Sequence, residues 1–206
     1  ISGVLVDNVS VGTPSVYSFS NISASHTIAA SFSLITNTIT AGAGTGGTIS
    51  PQGNVSVNYG TNQTFNISAN TGYYVSDVMV DNVSVGAVSS YNFANVTAGH
   101  SISATFAPYT YSITSSAGTE GSISPSGNIT VNHGSSRTFT ISPDFGFQIS
   151  DVKVDNVSAG AVPTYTFSNI TTAHTISATF TTATYSITAS AGSGGSINPS
   201  GAATVA

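Results

Sequence analysis

Val80-Asp81-Asn82-Val83-Ser84-Val85-Gly86 decides the reading of this chain, because the same words stand at Val6 to Gly12 and, with Ala159 for a valine, at Val154 to Gly160. Asp7, Asp81 and Asp155 are 74 residues apart, and the interval also holds for Tyr17, Tyr91 and Tyr165, for His26, His100 and His174, for Phe32, Phe106 and Phe180, and for Pro51, Pro125 and Pro199. Between 75–106 and 149–180, 21 of 32 positions are identical, which identifies a tandem array of one small module and not a single large domain. The period divides the chain into a C-terminal part of a module at 1–34, complete modules at 35–108 and 109–182, and an N-terminal part at 183–206.

A 74-residue unit lies at the small end of what folds alone, so each core is thin. Only Arg137 and Lys153 are basic, against seven acidic residues, and the net charge of -5 reflects scarcity of cations. A groove tracking phosphates needs several cations on one face, as does an anionic membrane surface, so both partner classes are excluded. Cysteine is absent, which removes disulfides and thiolate metal sites. A charged fraction of 4%, with Ser, Thr, Asn and Gly as the polar surface, fits an extracellular β-repeat better than an intracellular enzyme. With no signal peptide, sorting motif or long apolar run, the segment reads as a mature piece or internal window, with no membrane insertion within it.

In the most complete unit, Tyr111-Ser112-Ile113-Thr114 alternates apolar and polar residues and runs through the turn Ala117 to Gly121 into Ser122-Ile123-Ser124. Further strands follow at Asn128 to Asn132, Arg137 to Ile141, Phe147 to Val154, after the Asp155-Asn156 hairpin, at Tyr165 to Phe167 and at His174 to Phe180. Both residues of that hairpin need positive φ, which Asn and Asp tolerate best after Gly. Seven short strands with frequent turn signals predict an all-β fold of small seven-stranded β-sandwich modules. The alternative, a β-grasp-like module, needs a helix, for which Asn169 to Ala173 is the sole candidate. Short linkers of constant length, Ser33 to Thr36, Ala107 to Thr110 and Thr181 to Thr184, predict a regular rod. The incomplete pieces 1–32 and 185–206 predict uncovered apolar faces and strand edges, to be covered by copies of the same chain in a head-to-tail polymer or by a longer parent chain.

Tyr111-Ser112-Ile113-Thr114, Gly121-Ser122-Ile123-Ser124-Pro125-Ser126-Gly127, Gly146-Phe147 with Asp151 to Asp155, and His174 to Phe180 together resemble the divergent internalin B-repeat modules of bacterial and archaeal surface proteins. Complete copies lie at roughly 37–106 and 111–180. The resemblance implies a stalk-forming segment of a secreted or cell-surface protein, with no catalytic residues to transfer. Where the family commonly has Asp-Gly at the hairpin, this chain has Asp-Asn, which creates a sequon.

His26, His100 and His174 occupy one position in successive modules and have no acidic residue within six positions, so they read as structural histidines. A His-carboxylate pair would require a partner from another strand or module. His133 replaces Tyr59 and reads as an exposed loop residue. Asp77 with Asp81, and Asp151 with Asp155, lie on one strand face but about 13 Å apart, too far to share a calcium ion, so they read as solvated turn acids. No catalytic, cofactor or metal site is assigned and no cofactor is expected. Ten Asn-x-Ser/Thr sequons, at Asn8, Asn21, Asn54, Asn62, Asn66, Asn82, Asn95, Asn128, Asn156 and Asn169, are candidate N-glycosylation sites, the hairpin trio Asn8, Asn82 and Asn156 foremost. The function expected is a structural segment of an extracellular surface fibre, sheath or adhesin stalk. The alternative is a carbohydrate-binding or adhesive module using Tyr73, Tyr74 and Tyr109.

Overall fold

Alternation of apolar and polar residues yields strands throughout, and the computed structural model describes residues 1–205; Ala206, the end of the expected C-terminal piece, lies outside them. The chain divides into two compact units, Ile1–Asn70 with Val75–Phe106, and Thr71–Tyr74 with the residues from Ala107 onward. Ahead of the first complete copy, β1 (Gly3–Val6), β2 (Val9–Ser10) and β3 (Ile28–Ser31) form a three-stranded sheet ordered β2-β1-β3. The first copy contains β4 (Thr36–Ala43), β5 (Gly47–Ser50), β6 (Gly53–Asn58), β7 (Gln63–Ala69), β8 (Tyr73–Val80), β9 (Val83–Gly86), β10 (Ser90–Phe93) and β11 (His100–Pro108). Its counterparts in the second copy are β12 (Thr110–Ala117), β13 (Gly121–Ser124), β14 (Gly127–Asn132), β15 (Arg137–Pro143), β16 (Phe147–Val154), β17 (Val157–Gly160), β18 (Thr164–Phe167) and β19 (His174–Thr182). A final hairpin, β20 (Tyr185–Ala189) with β21 (Gly201–Val205), closes the described chain.

Each copy is a sandwich of a five-stranded sheet, β6-β4-β11-β8-β9 or β14-β12-β19-β16-β17, and a three-stranded one, β10-β7-β5 or β13-β15-β18. The sheets share one apolar interior. In the second copy Ile113, Val152, Ile176 and Ala178 from the larger sheet pack with Ile123, Phe139, Ile141 and Phe167 from the smaller. The first copy repeats this with Ile39, Val78, Ile102 and Ala104 against Ile49, Phe65, Ile67 and Phe93. Among the described residues there is no helix, and none long and apolar enough to cross a membrane. The segment that a β-grasp would need as its helix is an extended loop, held by the amide of Ile170 on the Ser135 carbonyl and the amide of Gly134 on the Ile170 carbonyl. Its Ile170 is buried as a plug at the core's edge.

Three features differ from simple alternation. First, the opening strand is two strands, so each copy has eight and not seven. After β12 the turn Gly118 to Glu120 carries the chain across to the other sheet, where β13 pairs with β15. Gly121 stands at that crossing because the Phe180 ring lies over it, and a β-carbon there would overlap the ring; Gly47 and Phe106 repeat the arrangement. Second, β16 carries a bulge, since Ile149 pairs with Phe180 and Asp151 with Thr179, leaving Ser150 unmatched. The extra residue turns both Ile149 and Val152 toward the core, which a strictly alternating strand would prevent. Third, the first and last strands of each copy pair in parallel, His100 to Ala104 beside Ile39 to Ala43 and His174 to Ala178 beside Ile113 to Ala117.

Nearly all inward positions are apolar. Ser115, the exception, stands where the first copy has Ala41, and its hydroxyl donates to the carbonyls of Pro125 at 2.8 Å and Gly127 at 3.3 Å. Of the expected linkers, Ala107 and Pro108 belong to β11 and Thr110 to β12, leaving Tyr109 alone between strands. Outside the two copies, Ile28 is 53% exposed where its counterparts Ile102 and Ile176 are 1%. Phe139 has no exposed surface, so Phe139→Ala is expected to cost about 3–5 kcal/mol. Residue-resolved hydrogen exchange of the whole chain in urea should show the second copy losing protection early while the first keeps its midpoint. An equal shift in both would show that the copies do not unfold separately.

A candidate functional site at the repeated aspartate–histidine clasp

The repeated stretch Val80 to Gly86, with its counterparts at Val6 to Gly12 and Val154 to Gly160, builds a regular polar constellation. Asp81 and Asn82 are the two central residues of the β8–β9 hairpin, at φ of 49° and 67°, and Asp7-Asn8 and Asp155-Asn156 take the same left-handed pair. That geometry swings the aspartate side chain off the hairpin and toward the start of the last strand. Its Oδ2 accepts from Nδ1 of His100 at 2.7 Å and its Oδ1 from the backbone amide of Ser101 at 2.8 Å. In return the Asp81 amide donates to the Ser101 carbonyl at 3.0 Å. Asp155 holds His174 and Thr175, and Asp7 holds His26 and Thr27, at the same side-chain distances.

The histidines are therefore not isolated. Each has a carboxylate from the neighbouring hairpin, 19 residues earlier in the chain. The signal for this pairing is present in the sequence, because both residues repeat with the same spacing, yet a window of six residues could not reveal it. Behind each imidazole lies an aromatic ring: His100 rests on Phe93 with centroids 5.0 Å apart, and His174 on Phe167 at 4.8 Å. Phe93 in turn meets Tyr91 and Phe65 edge-on at 4.9 and 5.8 Å. The clasp thus connects an exposed turn to the middle of the core, which accounts for the period-keeping Tyr91 and Tyr165.

Chemically, an imidazole whose Nδ1 faces a carboxylate has the orientation of a general base. Such a base needs a reacting group at Nε2, and among the described residues no side chain bonds Nε2 of the three histidines, no cavity opens beside them, and no cluster of three metal-ligating side chains occurs. Asp77 and Asp151, paired with the clasp aspartates in the sequence reading, have separate partners, accepting from Ser84 and Ser158 at 2.6 Å. His133 is half-buried, 3.4 Å from the Tyr111 hydroxyl.

All ten sequon asparagines are exposed. Six of them, Asn8, Asn82, Asn156, Asn21, Asn95 and Asn169, have positive φ, a backbone reason for asparagine that holds with or without sugar. Of the others, Asn54 accepts from Thr40 at 3.0 Å and Asn62 from the Asn95 amide at 2.8 Å, whereas Asn66 and Asn128 face outward from strands. Tyr74 and Tyr109, both exposed, bring their rings to 5.3 Å. The second copy has Gln148 and Ala183 at those positions.

The clasp shifts its carboxyl groups. The His26 and His100 hydrogen bonds, then the Thr27 and Ser101 amides, hold Asp7 and Asp81 below the ordinary 3.8. At Asp155 burial pushes upward most strongly, but the bonds from His174 and the Thr175 amide together outweigh it and the net shift is downward. A folded-state value below the unfolded one means a contribution fully present above the ordinary carboxyl range and lost as pH falls through the lowered value. Denaturation of the chain carrying Asp81→Asn and Asp155→Asn should therefore show a flatter stability profile than the parent between about pH 5 and about pH 2. Parallel profiles would mean that the carboxylate charge contributes nothing.

No curated protein matches the chain. Two consecutive stretches, 37–110 and 111–184, match the family model described as the divergent InlB B-repeat domain, and together they cover more than half of the chain. Tandem repeats of this kind point to a repeat-containing surface or secreted protein. With two matched copies in succession, each a helix-free sandwich closed by the same clasp, the chain belongs to the divergent InlB B-repeat family.

Proposed function

We propose that the chain is a structural tandem-repeat segment of an extracellular surface fibre, sheath or adhesin stalk. One observation carries the reading: the aspartate–histidine clasp, repeated at all three Asp-Asn hairpins, is directed at the module's own hairpin and last strand. Side chains that could serve catalysis are thus employed in holding each module together, and the reading assigns no catalytic role and no cofactor. Its partners are further copies of the same repeat, in a longer parent chain or a head-to-tail polymer. Covalent sugar on the exposed sequons would hydrate a surface that has almost no charge.

Antibodies raised against residues 37–184 are expected to label intact source cells without permeabilisation; labelling only after permeabilisation overturns the proposal. Peptide mapping of native material should find sugar first at Asn8, Asn82 and Asn156, whose turns project from every copy. Finding those three bare while other sequons are occupied counts against them as the preferred sites. A second reading, carbohydrate binding, is favoured by the exposed Tyr74–Tyr109 pair, because structural aromatics in this chain repeat and this pair does not. Glycan-array binding that disappears with Tyr74→Ala would select it, whereas a stalk binds no glycan specifically.

A further inference from the structure

We propose that each copy is a tension-bearing unit whose resistance resides in the parallel pairing of its first and last strands, β4 with β11 and β12 with β19. The inference deepens the stalk reading and takes its biological use from it, while the mechanics are independent. In the second copy the chain enters at Thr110, runs up β12, and leaves from the far end of β19 at Thr182. These strands are neighbours and point the same way, in register from Ile113–His174 to Ala117–Ala178. A pull on the two ends drags β12 and β19 in opposite directions along their common axis. The hydrogen bonds of a parallel ladder run across the strands, so sliding loads all of them together. Pulling the strands apart sideways would instead break them one after another.

Three further contacts oppose the slide. The Gly118 amide donates to the Ala178 carbonyl at 3.0 Å, extending the ladder beyond the paired residues. On its other side β19 is paired with β16 from Val154–Ile176 to Phe147–Thr182, and it must shear from that strand as well. At its start β19 is pinned by the clasp, through the Asp155 carboxylate on His174 and the Thr175 amide. Sliding also drags Ile113, Ile176 and Ala178 out of the core in one movement, exposing apolar surface before any strand is free. The first copy has the same elements: Ile39–His100 to Ala43–Ala104 in register, the Gly44 amide on the Ala104 carbonyl at 2.9 Å, and Asp81 on His100.

The chain has no cysteine, so an introduced pair defines the points of attachment uniquely. In single-molecule pulling, Thr110→Cys with Thr182→Cys loads the ladder in shear, and Thr110→Cys with Ala173→Cys, at one end of the strand pair, peels it. All three positions are exposed, so both variants are expected to fold. The expected result is a several-fold higher unfolding force in shear than in peeling at equal pulling speed, reduced in the shear geometry by Asp155→Asn. Equal forces, or a weaker shear geometry, overturn the proposal. The two readings fail separately: equal forces leave a surface location standing, and antibody labelling confined to permeabilised cells leaves the force difference standing.

Discussion

The first strand of each copy is completed only by the last. β4 forms one side of its sheet with β6, but its other edge stays open until β11 arrives parallel to it, nearly a whole module later. A parallel neighbour cannot be reached by a tight turn, so everything between must leave the sheet and return. That requirement explains the crossing after β4, the second sheet, and the glycine over which Phe106 lies. Local pairing alone satisfies neither sheet: β5 and β10 also depend on β7, which comes from the middle of the copy. The fold is therefore dominated by non-local contacts, the regime in which closure entropy precedes its reward.

Such a late closure needs a device that brings the last strand to the right register, and the clasp has that geometry. A left-handed Asp-Asn turn projects a carboxylate sideways, and the two groups it captures, an imidazole and the next backbone amide, are consecutive on β11 or β19. A strand shifted by one residue would present neither correctly and would also turn its apolar residues outward. Turn chemistry and strand register are thus coupled through one side chain. The imidazole's packing against Phe93 or Phe167 extends the coupling into the core.

The outer faces follow from the same economy of charge. With two cations in the chain, cross-strand ion pairs are scarcely available, and hydroxyl and amide side chains take their place. Thr138 faces Thr166 at 2.8 Å, Ser76 meets Thr105 at 2.9 Å, and Thr64 donates to Asn92 at 3.0 Å. Pairs of this kind contribute modestly one by one, but unlike ion pairs they are not screened by salt. A surface so constituted suits a segment exposed to varying ionic strength.

The sequence by itself determined the period, the all-β class, the positive-φ hairpins and the inward residues of most strands, because these depend on local alternation and turn chemistry repeated in every copy. It also located the histidines and aspartates of the clasp as repeating positions, without joining them. Only the tertiary structure decided the parallel closure, the split of the opening strand between two sheets, and the bulge at Ser150 that aligns Ile149 with Val152. It alone paired Asp81 with His100 and brought Tyr74 to Tyr109. The physical reason is common to all of these. Strand direction, sheet membership and contacts between distant residues are set by how two sheets enclose one core, and alternation along a single strand is the same whichever neighbour that strand acquires.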